Sequence, residues 1–306
     1  MTTFILRRVG VTVLVVWGAL SAVFLILRIS GDPVLLMAPP GSGEEELAAL
    51  RTALGYDRSL FVQYLSFFGD ALRGHFPDSL QFQQPALSVV LERLPATFML
   101  AGTALVLGTV CAALIAVATV RPRKNGVERE WPMSFVYLTQ AVPNFYIGVL
   151  LVWIFGVLLG VLPTSGAGAP TSIVLPAITL AAGILPQLTR VFRTSLRAEL
   201  GKPYTRTGTA LGMGPRRVLG HAAYGALLPT VTVLGLEAGA LLGGTVIVET
   251  VFSWPGVGQL AISALNNEDF PLVLADLTFL ILVFVVINLV VDLSYGLLDP
   301  RVRHQG

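Results

Sequence analysis

The amino-acid sequence predicts an all-α integral membrane protein with six transmembrane helices. Of its 306 residues, 54% are hydrophobic and only 12% are charged, whereas about 25% of the residues in a soluble domain are charged. The hydrophobic residues gather into long runs, and a run of about 20 apolar residues crosses the hydrocarbon layer as a helix. Membrane-spanning strands would instead give short alternating segments, so we expect helices.

Six hydrophobic runs account for the six helices in order along the chain. They are residues 9–29, 96–120, 134–161, 173–189, 226–248 and 272–297. The first run follows Arg7 and Arg8, as the core of a signal peptide would. However, it exceeds the roughly 7–15 residues usual there, and no small-x-small cleavage site follows it, so we expect a retained helix. The fourth run is the shortest and contains Pro176 and Pro186.

The positions of Lys and Arg predict that both termini are cytoplasmic. In a six-span arrangement the basic clusters fall on one side, which the positive-inside rule assigns to the cytoplasm. These clusters are Arg7 and Arg8; Arg121, Arg123, Lys124 and Arg129; Arg190, Arg193, Arg197, Lys202, Arg206, Arg216 and Arg217; and Arg301 and Arg303. Each cluster borders a span and the net charge is only +2, so we expect no nucleic-acid partner.

This topology divides the chain into three parts. Residues 1–30 form the N-terminal transmembrane helix, residues 31–95 an extracytoplasmic region, and residues 96–306 the transmembrane core, with a cytoplasmic loop at 190–225. In the extracytoplasmic region, "GEEELAALRTALG" has the acidic start and terminal glycine of a short helix. The stretch "LFVQYLSFFGDALRG" predicts a second short helix, whose aromatic apolar face suits a membrane interface.

No pattern in the sequence is typical of an enzyme. There is no phosphate-binding loop of the form G-x-x-x-x-G-K-[ST], so the chain does not hydrolyse nucleotides by that route. His75, His221 and His304 lack the spacing of metal ligands, and no G-x-S-x-G nucleophile motif occurs. The single cysteine, Cys111, cannot form an intrachain disulfide. We expect no catalytic residue, no metal site and no cofactor bound by this chain.

The segment 206–229 is basic and rich in glycine, although it lies between two apolar runs. Pro203 suits the first turn of a helix, Gly212 suits the left-handed position that ends one, and Gly214-Pro215 suits a turn that starts the next. We therefore predict two short helices separated by a hinge. The arginines of such helices could contact anionic lipid, or the helices could occupy a groove in a protein partner. The spacing alone leaves both open.

This segment resembles the cytoplasmic coupling loop of permease subunits of ATP-driven (ABC) importers. The resemblance is stronger to the dipeptide/oligopeptide subfamily, whose pattern is roughly Tyr-x-Arg-Thr-Ala-x-Ala-Lys-Gly. The matching residues are Tyr204, Arg206, Thr207, Ala210 and Gly212, and the pattern is broken at Gly208 and Leu211. Further motifs of the subfamily occur in the same order, namely "GDPV", "RLPATFMLA", "AVPNFYIGVLL", "VETVFSWPGVGQL" and "LLDPRVR".

The resemblance implies the fold of a type I ABC importer permease in the cytoplasmic membrane. It also implies a second homologous permease subunit, two cytoplasmic ATPase subunits that bind ATP and Mg, and an extracytoplasmic substrate-binding protein. The cargo would be a peptide, with nickel chelates, glutathione or opines as alternatives within the subfamily. The residues implied to couple to the ATPases are Tyr204, Arg206, Thr207, Gly208, Ala210, Gly212, Arg216 and Arg217.

An ion-driven secondary transporter is the alternative class, but we see no paired broken helices or internal symmetry of the kind expected there. The resemblance implies that the stretch "FSWPGVG", with Trp254, Pro255 and Gly256, forms an extracytoplasmic gate. A simple interfacial anchor is the alternative for Trp254. Glu249, near the end of the fifth span, is expected to be hydrated or to cap a helix.

The fifth span contains two features that concern packing and transport. Gly235, Gly239 and Gly243 are spaced so that helices approach closely, either between two permease subunits or within the chain. Glu237 points away from this glycine stripe, and an acid in mid-membrane usually faces a cavity or a partner. It could meet the ammonium group of a peptide, or bind a neighbouring helix. In the third span, Asn144 could line the path or satisfy the backbone at a kink.

Overall fold

The structure is a computed structural model that describes residues 2–29, 34, 41–53, 55–120 and 131–298. All regular elements in these residues are helices, and the single β-bridge, between Asp78 and Pro85, belongs to no strand. The all-α fold class is therefore confirmed. Some of the predictions fall on residues outside the described ranges. These are the basic cluster at 121–129, Arg301 and Arg303, and most of the "GDPV" and "LLDPRVR" motifs.

The described residues contain eleven α-helices. They are α1 (Thr2–Ile29), α2 (Glu44–Ala53), α3 (Leu60–Arg73), α4 (Ala86–Val120), α5 (Trp131–Ala141), α6 (Asn144–Leu151), α7 (Val174–Leu200), α8 (Pro203–Ala210), α9 (Pro215–Val251), α10 (Val257–Asn266) and α11 (Phe270–Leu298). A π-helix, Val152–Leu158, continues α6, and a 3₁₀ turn, Pro170–Ile173, precedes α7. Helices α2 and α3 confirm the two short helices predicted within residues 31–95.

Five helices of the described chain are long and apolar enough to cross a membrane, and a bent pair gives a sixth candidate. The five are Leu6–Ile26, Ala86–Val120, Pro170–Leu200, Pro215–Leu241 and Phe270–Val291. Each corresponds to one of the predicted runs. The retained first helix and the proline-containing fourth run are both among them.

The prediction that residues 134–161 form one helix is wrong. Helices α5 and α6 are bent by 103° at a break between them. Pro143 lacks a backbone N–H and adopts φ −58° and ψ 137°, an extended conformation that cannot continue a helix. Its carbonyl accepts from the backbone N–H groups of Tyr146 at 3.0 Å and Ile147 at 3.2 Å, so α6 begins afresh beyond the break.

The chain divides into two compact units, and the first comprises residues 1–96 and 255–289. Its core is formed by the first turns of α4, by α10 and by the first turns of α11, with Val90, Val257 and Leu272 fully buried. Buried Asp269 begins α11 by accepting from the backbone N–H of Leu272 at 3.2 Å. It also accepts from the Ser79 hydroxyl, which ties the segment before α4 to this core.

Within the same unit, α3 packs against α1 through aromatic rings. The ring centroids of Phe24 and Tyr64 lie 5.5 Å apart in an edge-on arrangement, and those of Phe24 and Phe67 lie 5.6 Å apart and are stacked. The hydroxyl groups of Ser21 and Tyr64 form a hydrogen bond of 2.7 Å. The aromatic face of α3 therefore serves packing within the chain, while Phe61 and Leu65 remain exposed.

The second unit comprises residues 97–254 and 290–306. Its central feature is the long contact between α7 and α9, where Phe192, Leu196, Ala222 and Ala226 are buried together with residues of α4. Helix α7 also packs against α5 and α6. The division into residues 1–30, 31–95 and 96–306 rests on topology and stays a prediction.

Candidate coupling site and transport path

Helix α8 begins and ends with local signals that the sequence contains. Pro203 occupies its first turn after an extended Lys202, as expected of a residue without a backbone N–H. Gly212 has φ +84°. The Gly212 N–H donates to the Thr209 carbonyl at 3.0 Å, and the Met213 N–H donates to the Gly208 carbonyl at 2.9 Å. This pair of bonds is a Schellman motif, and the predicted left-handed glycine is confirmed.

The second helix of the predicted pair is not short. Gly214 precedes α9, which runs without interruption for 37 residues from Pro215 to Val251 and includes the fifth span. Apolar packing against α7 extends from Leu219 to Ala226, where the predicted fifth run begins, so no helix end separates the loop from the span. The hinge is therefore confined to Leu211–Gly214, between α8 and α9.

Gly208 is buried against Met213 on the inner side of α8. A Cβ atom placed on Gly208 would lie 2.8 Å from the Met213 sulfur, closer than two such atoms approach. The Met213 side chain therefore covers the position at which the subfamily pattern has alanine. This contact gives a structural reason for the departure at Gly208.

The opposite side of α8 and the start of α9 are open to solvent. We name this side the coupling surface. It consists of the exposed residues Tyr204, Arg206, Thr207, Ala210, Leu211, Gly212, Arg216 and Arg217. Leu211, an apolar residue of this surface, is 81% exposed. Seven of the eight residues predicted to couple to ATPases are thus brought to one surface, and the eighth, Gly208, supports it from beneath.

The three glycines of α9 have different surroundings. A Cβ atom on Gly235 would lie 2.7 Å from Cγ1 of Val291 in α11, so this glycine permits a close approach within the chain. Gly239 is buried. Gly243 is exposed, and a Cβ atom there would meet nothing within 4 Å. Of the two predicted roles, close helix packing within the chain accounts for Gly235. The exposed Gly243 remains available for contact with a neighbouring subunit.

Glu237 and Asn144, the predicted path residues, lie on different helices of the second unit. Glu237 is half-buried on α9, and within the described part of the chain no side chain forms a hydrogen bond or ion pair with it. Asn144 begins α6, and its side chain packs directly onto Gly183 of α7. Because glycine has no side chain, the bent junction of α5 and α6 can approach α7 closely there.

The end of α9 is fixed to the rest of the second unit. Trp254 is only 2% exposed, and its backbone N–H donates to the Glu249 carbonyl at 2.8 Å. The carbonyl of Phe252 accepts from the Gly166 N–H at 2.8 Å. Trp254 therefore lacks the exposure of an interfacial anchor. Pro255 and Gly256 belong to the other unit, where Gly256 precedes α10.

The sequence matches a family of transport proteins over most of its length. Residues 104–304 match the family described as "Binding-protein-dependent transport system inner membrane component". The chain belongs to this family. Residues 1–101 match the corresponding N-terminal family, "Binding-prot-dependent transport system membrane comp, N-term". The protein is therefore a multi-pass permease subunit of the inner membrane.

Three relatives and one solved structure illustrate the similarity. GsiC of Salmonella typhi, a glutathione transport system permease protein, is 33% identical over 307 residues that cover 100% of both chains. GsiC of Escherichia coli K12 is 34% identical over 92% of this chain and 93% of its own. The probable peptide ABC transporter permease protein y4tP of Sinorhizobium fredii is 33% identical over 99% of this chain and 100% of its own.

The structure resembles a crystal structure of an amino acid ABC transporter with histidines, with a TM-score of 0.53. The superposition covers 68% of this chain and 94% of the chain in that crystal structure. Its sequence is 16% identical. This likeness shows the ABC transporter permease fold.

Two acidic residues of the permease have surroundings that sequence reasoning missed. Glu249 is fully buried, and its Oε1 atom accepts from the Thr97 hydroxyl at 2.7 Å, so the expectation of a hydrated or capping residue is wrong. Glu199 contacts Lys202, Tyr204 and Gly225 at the junction of α7, α8 and α9. The only available signal was that Glu199 is the sole acid of residues 190–225.

Proposed function

We propose that the permease imports small peptides, and that the energy comes from ATP hydrolysed on separate cytoplasmic subunits. The observation that supports this most is the coupling surface, an exposed cationic and apolar patch on a short helix between two spans. A patch of this kind suits a groove in a soluble partner. The relatives are named as peptide and glutathione permeases, and glutathione is itself a tripeptide.

In this proposal the ATP and Mg bind to two ATPase subunits, and this chain binds neither. A second homologous permease subunit completes the membrane part, and an extracytoplasmic protein delivers the peptide. The coupling surface and both termini face the cytoplasm. ATPase closure presses on α8, and the movement reaches α7 and α9, which pack against one another over much of their length.

Glu237 is proposed to line the path and to meet the ammonium group of the peptide. Its half-buried position without a side-chain partner among the described residues supports this role, because an isolated acid in a span is costly unless it serves a cavity or a partner. Trp254, Pro255 and Gly256 are proposed to form the extracytoplasmic gate. The buried Trp254 would hold one side of that gate rigid.

The proposal is tested with the complete complex in proteoliposomes that contain ATP. We expect uptake of a labelled dipeptide that stops with vanadate, and competition by unlabelled peptides and glutathione but not by a nickel chelate. Uptake that survives vanadate and depends on an ion gradient would instead indicate a secondary transporter. Competition by the nickel chelate alone would reject the peptide class.

The coupling surface is tested with a matched pair of glycines. Gly212→Ala forces a left-handed residue, which costs about 1–2 kcal/mol and opens the end of α8. Gly214→Ala serves as the control, since Gly214 has φ −64° and open space around it. We expect uptake to fall in Gly212→Ala and in Arg206→Ala, while Gly214→Ala keeps it. Normal uptake in both Gly212→Ala and Arg206→Ala would mean that α8 is not the coupling site.

A further inference from the structure

One carboxylate lies where α8 meets the two long helices of the second unit. Glu199 is in the last turn of α7, and its Oε2 atom accepts from the Tyr204 hydroxyl at 2.9 Å. Its Oε1 atom accepts from the Lys202 ammonium at 2.6 Å. The Glu199 side chain is only 14% exposed, whereas that of Lys202 is 53% exposed. The carboxylate is thus turned inward, and the Lys202 side chain lies toward solvent.

The third contact of this carboxylate is with α9. A Cβ atom on Gly225 would lie 2.7 Å from Cδ and 2.8 Å from Oε2 of Glu199. Only a residue without a side chain leaves room for the carboxylate there. Leu196, one turn before Glu199, and Ala222 and Ala226, on either side of Gly225, are buried in the contact between α7 and α9. Glu199 therefore lies inside that contact, near the end that leads into α8.

Tyr204 provides the polar side-chain link from the first turn of α8 to this junction. Partial burial, together with the hydrogen bond to Glu199 and the negative charge of Glu199, raises the pKa of Tyr204, so its hydroxyl remains protonated and donates. The ion pair with Lys202 is exposed on one side and adds little constraint. The Thr205 hydroxyl donates only to the Leu200 and Lys202 carbonyls. These bonds fix the turn before α8 but do not link it to α9.

The segments on both sides of α8 contain glycines, and the hydrogen bonds that hold these segments are local. Gly201 precedes it, and Gly212 and Gly214 follow it. A force applied to the coupling surface could therefore rotate α8 about these glycines without moving the spans. The contact from Tyr204 through Glu199 to Gly225 opposes this rotation, because it joins α8 to α7 and α9 at one point.

We propose that Glu199 is a positioning residue that fixes α8 to α7 and α9, so that a push on the coupling surface moves the spans instead of turning α8 alone. This inference rests on the proposed function, in which ATPase subunits press on α8. It predicts that loosening the junction lowers the amount of peptide moved per ATP hydrolysed while the ATPase subunits stay bound.

The junction is loosened in two independent ways. Tyr204→Phe removes one hydroxyl and keeps the ring. Gly225→Ala removes nothing but places a methyl group where the Glu199 carboxylate lies. Gly220→Ala is the matched control on α9, since a Cβ atom there meets nothing within 4 Å. Glu199→Gln is the conservative variant, because its amide oxygen can still accept from Tyr204.

The measurement is the ratio of labelled peptide taken up to ATP hydrolysed, in proteoliposomes that contain the complete complex. We expect Tyr204→Phe and Gly225→Ala to lower this ratio by roughly two- to tenfold, as loss of one hydrogen bond allows. Gly220→Ala and Glu199→Gln should keep most of it. Purification of each complex should recover the ATPase subunits in wild-type amounts.

A double variant separates a shared contact from two unrelated defects. Glu199→Ala should lower the ratio, and adding Gly225→Ala should lower it no further, because the carboxylate that the methyl group displaces has gone. Independent defects would multiply. A multiplied loss would overturn the proposal. Loss of ATPase subunits from the Tyr204→Phe complex would also overturn it, since the Tyr204 hydroxyl would then act in docking and not in the contact with Glu199.

The same measurements on different variants also distinguish this inference from the proposed function. A normal ratio in Tyr204→Phe and Gly225→Ala, alongside a lowered ratio in Arg206→Ala, would reject Glu199 as a positioning residue and leave α8 as the coupling site. A normal ratio in all three variants would reject both.

Discussion

Replacing Gly235 by alanine is expected to destabilise the permease, whereas the same change at Gly243 is not. Carbon atoms pack at about 3.5–4.0 Å, but the new Cβ atom at Gly235 would lie 2.7 Å from Cγ1 and 3.3 Å from Cγ2 of Val291. Valine has restricted χ1 freedom, so α9 and α11 must separate locally. Overpacking of this kind costs about 1–3 kcal/mol.

The Gly243→Ala variant makes this cost measurable. Both glycines lie inside α9, so both variants gain about 1 kcal/mol of helix propensity, and this gain cancels in the comparison. Gly243 has open space around it. The difference in unfolding free energy between the two variants should therefore equal the packing cost, about 1–3 kcal/mol, with Gly235→Ala the less stable.

The assay is thermal unfolding of the purified complex in detergent, followed by tryptophan fluorescence, with recovery of the second permease subunit measured in parallel. A lower Tm in Gly235→Ala and a reduced recovery of the second subunit in Gly243→Ala would support intrachain packing at the first position and a subunit seam at the second. Equal Tm values for the two variants, with the second subunit recovered in full from both, would refute the contact between Gly235 and Val291.

Three other changes have defined outcomes. Glu237→Gln should lower uptake of peptides with a free amino terminus more than uptake of N-acetylated analogues, and the complex should be obtained in normal yield. If Glu237 instead pairs with a buried cation, the variant should lose about 3–5 kcal/mol of stability. Assembly of the complex should then fail, and uptake of all substrates should fall equally. Thr97→Val removes the donor to buried Glu249 and should lower stability by about 1–3 kcal/mol in thermal unfolding, while Thr103→Val, whose hydroxyl is exposed and bonds only to a backbone carbonyl, should not. A reporter fused after Gly306 should be active only in the cytoplasm, and activity outside would contradict the proposed orientation.

Features set by neighbouring residues could be predicted from the sequence. Composition and run length give the membrane class because every backbone group in a bilayer must be satisfied within helices. The end of α8 follows from Gly212, because a left-handed residue and two local hydrogen bonds are all that it requires. The exposed side of α8 follows in the same way from its spacing.

Proline shows where such reasoning fails. Pro95, Pro186 and Pro229 all lie inside helices that continue past them, whereas the chain breaks at Pro143. The residue type is the same in each case. Whether a helix continues depends on packing around the lost hydrogen bond, and periodicity contains no information about that packing.

Contacts between residues that are far apart in the sequence could not be predicted either. Thr97 and Glu249 are 152 positions apart, and nothing near Glu249 indicates that a hydroxyl will meet it. Glu199 and Gly225 come together only because α7 and α9 pack side by side. An acid and a glycine are common residues in such a loop, so the sequence does not distinguish either of them from its neighbours.

The uninterrupted length of α9 has a mechanical consequence. Its 37 residues span about 55 Å at 1.5 Å per residue, far more than the roughly 30 Å of the hydrocarbon layer. In a helix of this length, a small tilt produces a large displacement. If α9 tilts by about 5° about one end, the other end moves by about 5 Å, since the arc is the product of angle and length. Arg216 lies at one end and the turn that leads to Trp254 at the other. A small rotation at the Arg216 end thus becomes a displacement of several ångströms at the end that leads to Trp254, with no chain of intermediate contacts required to transmit it.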